Sequence, residues 1–85
     1  MDERRLAVAI QAYILIRVVP GKVSETLKAL QENPEVKMAH AVTGPTDVIA
    51  FVEAQDMDHL GRFVVGRVQQ APGVTRTTTC VVTHV

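Results

Sequence analysis

The sequence predicts an α+β domain with the element order β-α-β-β-α-β, an antiparallel sheet with both helices on one face. Three observations carry this expectation. Each proline of the 85-residue chain sits in a turn-forming pair: Pro20-Gly21, Asn33-Pro34, Gly44-Pro45 and Pro72-Gly73. Between these marks, stretches rich in β-branched residues alternate with stretches of helical period. Apolar residues make up 47% of the chain, enough to build one small core.

The elements follow in order. "VAIQAYILIRVV" is dense in Val and Ile, and Ala9 to Val19 is expected as a strand. "KVSETLKALQEN" places Val23, Leu27 and Leu30 at i, i+4 and i+7, so an amphipathic helix is expected, ended by Asn33-Pro34. In "EVKMAHAVTG", Val36, Met38, His40 and Val42 alternate with Lys37, Ala39, Ala41 and Thr43, which predicts a strand with the first set on one face. "TDVIAFVEA" is the strand after the Gly44-Pro45 turn. "DMDHLGRFVVGRVQQA" sets Met57, Leu60, Val64 and Val68 on one stripe, widened by Phe63, with Asp56 as N-cap. Gly61 and Gly66 weaken that helix, and close approach to the sheet is the expected reason for them. Val74 to His84, dense in Thr and Val, is expected as the last strand. The order is that of a ferredoxin-like split βαβ domain.

The strands point to self-association. With helices on one side only, the other face of the sheet should be polar. Yet Ile10, Ala12, Ile14, Ile16 and Val18 share one face of the first strand, while Tyr13 and Leu15 lie on the other beside Gln11 and Arg17. After the turn, Val48, Ala50 and Val52 oppose Ile49 and Phe51. A second copy is expected to cover the open face, most simply by two-fold symmetry.

Composition narrows the chemistry. Nine basic residues balance nine acidic ones, against the clustered basic face that nucleic acid requires. Arg4-Arg5, the one basic doublet, is offset by Asp2-Glu3 and expected as a solvated end. The single cysteine, Cys80, forms no internal disulfide, and a reduced, cytoplasmic protein is expected. No signal peptide or membrane span is expected either.

No catalytic, metal or cofactor site is expected. His40, His59 and His84 are scattered, and Asp56 and Asp58 beside His59 fit a helix start. His40 is expected buried or interfacial, and Cys80 as an inert half-buried thiol. Glu53 and Asp47 are single carboxylates without an evident partner. Phosphate loops and dinucleotide fingerprints are lacking. Two features remain. In "RTTTC", Thr77 and Thr79 share a face and could bind a polar ligand, although threonine is also a common strand residue. The turn Gly44-Pro45-Thr46-Asp47 is well formed for a β-turn and also sets a hydroxyl and a carboxylate at the rim of the sheet. Composition leaves both readings open.

These residues together resemble the effector-binding (RAM) domain of the Lrp/AsnC transcriptional regulator family. The likeness runs from about Ala7 onward: the Gly-x-x-Asp turn Gly44 to Asp47, the apolar "DVIAFVEA", the Asp-led helix with Leu60 and Phe63, and Pro72-Gly73-Val74 opening a Thr-rich strand. Family members usually carry an N-terminal helix-turn-helix, for which the residues before the first strand are too few, so the chain is expected to be a stand-alone form, one domain over residues 1–85. The resemblance implies dimers through the sheet, assembling into octamers, and an amino acid or similar small polar effector held between dimers. Gly44, Thr46, Asp47, Thr77 and Thr79 are its implied contacts: Asp47 for the ammonium, the Thr hydroxyls and turn N–H groups for the carboxylate. Pro45 withdraws one such N–H. Hetero-assembly with full-length relatives is a further implied partnership. Two rivals stand beside this reading. One is a dimeric α/β-barrel enzyme of the small monooxygenase type, using His40 or Tyr13 inside the sheet face. The other is a purely structural oligomerisation module.

Overall fold

The computed structural model describes residues 9–84, so the Asp2 to Arg5 segment lies outside the described residues. The predicted order is observed. β1 (Ile10–Val18) is followed by α1 (Val23–Gln31), β2 (Val36–Ala41), β3 (Val48–Ala54), α2 (Met57–Phe63) and β4 (Val74–Val81). The first and last strands are shorter than the expected Ala9–Val19 and Val74–His84. The sheet order is β2-β3-β1-β4, with every neighbouring pair antiparallel. This is the ferredoxin-like fold.

The central strands place their side chains as the alternation predicts. Ala12, Ile14, Ile16 and Val18 of β1 and Val48, Ala50, Val52 and Ala54 of β3 are buried. Leu30 of α1 and Leu60, Phe63, Val64 and Val68 of α2 and its extension join them in one cluster, so both helices cover this face. The opposite parity, with Tyr13, Leu15, Ile49 and Phe51, forms the open face. Tyr13 and Phe51 pair directly across the strands, their ring centroids 4.9 Å apart. Tyr13 remains 44% exposed in the single chain.

The edge strands depart from simple alternation. In β2, Val36 stands opposite Val52 but Met38 stands opposite Phe51, so Lys37 is one extra residue. In β4, Val74 stands opposite Val18 but Arg76 opposite Arg17, so Thr75 is extra. Such a bulge moves every later side chain to the other face. Ala39 is therefore the buried residue of β2, whereas Met38 and His40 are exposed and lie over Phe51 and Ile49. The expected common face of Val36, Met38 and His40 is corrected accordingly.

Two turns and one threonine fix the layers. Gly73 has φ +82°, and a Cβ there would come within 2.5 Å of Lys22 Cβ, so side chains are excluded on two grounds. Its carbonyl accepts from Val19 N at 2.9 Å. Thr26 is fully buried on α1 beside Leu30, and its hydroxyl proton serves the Lys22 and Pro72 carbonyls, tying α1 to the approach of β4. Buried without such partners, the hydroxyl would be destabilising.

Asp56 caps α2 as expected, its Oδ1 accepting from His59 N at 2.8 Å. Beyond Phe63 the helix widens into π-helical turns over Val64–Val68, where Gln69 N donates to Val64 O, five residues back, at 2.8 Å. Two expectations for this helix are corrected. Met57 is exposed rather than part of the buried stripe. Gly61 and Gly66 are exposed, with no atom within 4 Å of a Cβ built there, so they do not serve close approach to the sheet.

Candidate functional site

β1 pairs with β3 only as far as Ile16 opposite Val48, and the Gly44-Pro45-Thr46-Asp47 turn takes over from there. Asp47 N and the Thr46 hydroxyl both donate to Ile16 O, at 2.9 Å each. Asp47 Oδ2 accepts from Val18 N at 2.7 Å, so a carboxylate stands where the next ladder carbonyl would be. Arg17 closes the arrangement: its Nη1 donates to Pro45 O at 2.8 Å, and its Nε lies 3.5 Å from Asp47 Oδ2. Gly44, at φ +123°, makes the turn possible. The turn is thus a clamp on the end of β1. Thr46 spends its proton on backbone, while Asp47 Oδ1 has no partner among the described residues.

A groove of about 240 Å³ opens beside this clamp, lined by Leu15, Arg17, Pro45, Thr46, Arg76 and Thr78. Leu15 and Pro45 give it apolar walls, the arginines positive charge, and Thr78 a hydroxyl without a protein partner among the described residues. Thr77 and Thr79 are not part of it. They stand opposite Ile16 and Ile14, on the helix side of the sheet, and Thr77 Oγ1 accepts from Gln69 Nε2 at 3.3 Å. Within one chain the turn residues Gly44, Thr46 and Asp47 are therefore brought together, and Thr77 and Thr79 are not brought to them. Arg76 and Thr78 take the facing position instead. Only the bulge at Thr75 reveals this, since unbroken alternation puts Thr77 and Thr79 opposite in sense to Val74.

A second group of polar residues lies at the other end of the molecule. His59 Nε2 donates to Glu35 Oε2 at 2.9 Å, joining the start of α2 to the approach of β2. That hydrogen bond holds the Glu35 carboxyl below its usual range, against an opposing effect of burial. Sequence spacing could not reveal this pair, which is 24 residues apart. The Cys80 thiol, expected half-buried, is exposed in the single chain, opposite Tyr13 on the open face. Among the described residues, no three His, Cys, Asp or Glu side chains are grouped to hold a metal ion. No helix is long and apolar enough to cross a membrane.

Comparison with known proteins places this geometry in a family. A structure from Thermus thermophilus superposes with TM-score 0.84 at 33% identity, covering 89% of this chain and 95% of that one. A transcriptional regulator from Neisseria meningitidis, solved as its L-methionine complex, matches in fold with TM-score 0.85 at 22% identity, covering 99% of this chain and 56% of that one. An uncharacterised helix-turn-helix-type transcriptional regulator of Pyrococcus horikoshii is 32% identical over 76 residues, 89% of this chain and 48% of the regulator. The chain thus spans about half the length of the curated relatives it matches. These relatives are regulators rather than enzymes. Residues 11–85 match the Lrp/AsnC ligand binding domain, and the chain belongs to that family.

Proposed function

We propose that this domain is an oligomeric effector-binding module of regulatory function, taking an amino acid or a similar small polar molecule in the groove beside the Gly44 to Asp47 turn. The observation that carries this reading is the groove itself, with apolar walls from Leu15 and Pro45 and polar groups from Arg17, Arg76 and Thr78. Such a mixture suits a molecule with a charged head and a short side chain. Asp47, beside the groove rather than in its lining, offers Oδ1 as an acceptor for an ammonium group, and the arginines and Thr78 are donors for a carboxylate. Thr77 and Thr79, on the helix side of the sheet, are left out of this scheme.

Self-association belongs to the same proposal. Beside the groove the open face displays Tyr13, Met38, Ile49 and Phe51, and covering these with a second copy removes their apolar surface from water. Further assembly of dimers, towards an octamer, would place a groove rim against a neighbour. The proposed setting is the cytoplasm. The proposed readout is assembly with full-length regulators of the family, tested by co-purification with and without amino acids.

The experiment for the central reading is a thermal-shift screen of the twenty amino acids, run in parallel with sizing by light scattering. A ligand that binds only the folded state raises the melting temperature. The expected result is an oligomer whose melting temperature rises with at least one amino acid at millimolar concentration. A monomer that none of them stabilises would remove the proposal.

A further inference from the structure

We propose a second ligand site on the helix side of the sheet: the furrow between the end of α1 and the widened turns of α2 binds a small phosphomonoester that carries hydroxyl groups. A second copy covering Tyr13 and Phe51 on the open face leaves this furrow free, since its walls come from the helices and the approach to β2. The site stands independently of the groove beside the Gly44 to Asp47 turn.

Its anion-binding end comes from the π-helical turns. His59, Arg62, Phe63 and Arg67 line a hollow of about 220 Å³ together with Glu35. Around a regular α-helix, residues five apart stand about 140° from one another and face different sides. Turns closed by bonds over five residues take up an extra one, which carries Arg67 round to the side of Arg62 and Phe63. Neither guanidinium has an ion-pair partner among the described residues. Glu35, the one carboxylate at this end, has its Oε2 taken by His59 Nε2 at 2.9 Å. Paired guanidinium donors match the oxygens of a phosphate group.

The other end offers acceptors. An adjoining hollow of about 410 Å³ shares Gly66 and Arg67 with the first and is lined further by Glu32, Asn33 and Gln70. Asn33 Nδ2 donates to the Ala29 and Leu30 carbonyls, and Gln70 Nε2 to Val65 O, so their amide oxygens are left to accept. Together with the Glu32 carboxylate they suit the hydroxyl protons of a ligand. Gly66 has no side chain and open space where its Cβ would be, so one ligand can span both hollows.

The test titrates the whole chain calorimetrically with α-glycerophosphate, inorganic phosphate and glycerol. The first should bind about tenfold or more tightly than the second, and glycerol should not bind. Arg62→Gln and Arg67→Gln should each weaken α-glycerophosphate about tenfold, the scale of one charge-assisted hydrogen bond. Gly66→Leu should block the furrow with every charge retained, whereas Lys28→Gln, at an exposed position on α1 outside it, should change affinity less than twofold. Failure of α-glycerophosphate to bind overturns the proposal and leaves the amino-acid groove untouched. Equal affinity for inorganic phosphate overturns the assignment of a hydroxylated ligand. If Gly66→Leu binds like the wild type, or Lys28→Gln weakens binding as much as Arg67→Gln, diffuse charge holds the anion and the site is refuted.

Discussion

The two central strands and the two edge strands of this sheet obey different rules. β1 and β3 alternate without interruption, and their inward parity is buried from Ala12 to Val18 and from Val48 to Ala54. β2 and β4 each take one extra residue near their starts, Lys37 and Thr75, and everything after it changes face. A central strand is held by a ladder on both sides, so an extra residue would disrupt two pairings. An edge strand has one ladder to satisfy and can carry a bulge. The chemistry of the candidate groove depends on this freedom. The bulge at Thr75 turns Arg76 and Thr78 toward Leu15 and Arg17 and sends Thr77 and Thr79 to the helix side.

The sharpest way to break the central strands is Ile14→Ala. Ile14 is fully buried, and its truncation should lower unfolding free energy by about 2 to 5 kcal/mol, read by urea denaturation. Thr79, its partner on β4, is exposed, and Thr79→Val should change stability by no more than about 0.5 kcal/mol. Equal losses at the two positions would deny the contrast between centre and edge.

Gly73→Ala attacks the turn that leads into the bulged strand. The positive φ and the close Lys22 Cβ together should destabilise by about 1 to 3 kcal/mol, with thermal unfolding as the readout. Gly61→Ala, at an exposed helical position with open space around it, should instead stabilise by a few tenths to about 1 kcal/mol. Asp47→Ala removes the side-chain acceptor of Val18 N and should lower stability by about 1 kcal/mol even without any effector. An Asp47→Ala variant of unchanged stability would show that the clamp is not structural.

The smallest expected effect is at the far end of β3. The carboxyl of Glu35 is held below its usual range by His59, so its contribution is present above the unfolded-state value. Stability is lost as pH falls through that value and then through the lower folded-state one. Glu35→Gln should flatten the acid limb of the stability profile and leave the rest of it little changed. An unaltered acid limb would mean that the His59 hydrogen bond does not differ between folded and unfolded chains.

The fold was legible because its determinants are local. Pro20-Gly21, Asn33-Pro34, Gly44-Pro45 and Pro72-Gly73 punctuate the chain, and the central strands keep period two. The turn at Gly44 to Asp47 was legible for the same reason, although the hold of Asp47 on Val18 is 29 residues distant and became visible only in the fold. The facing half of the groove was not legible. Whether Thr77 or Thr78 looks outward is decided by one extra residue, and no composition signal in "VTRTTTCV" marks it. Thr26 was hidden differently: a polar residue on the buried side of α1 breaks the apolar stripe that sequence reading follows, and only the Pro72 carbonyl explains it.

The most direct test of this account is a comparison of effector affinity across the two parities of β4. For the amino acid that stabilises the wild-type chain most, dissociation constants would be measured for Arg76→Ala and Thr78→Val, and for Thr77→Val and Thr79→Val. The structure predicts about tenfold or greater weakening for Arg76→Ala, a smaller loss for Thr78→Val, and little change for the other two. Weakening confined to Thr77→Val and Thr79→Val, with Arg76 and Thr78 indifferent, would contradict it.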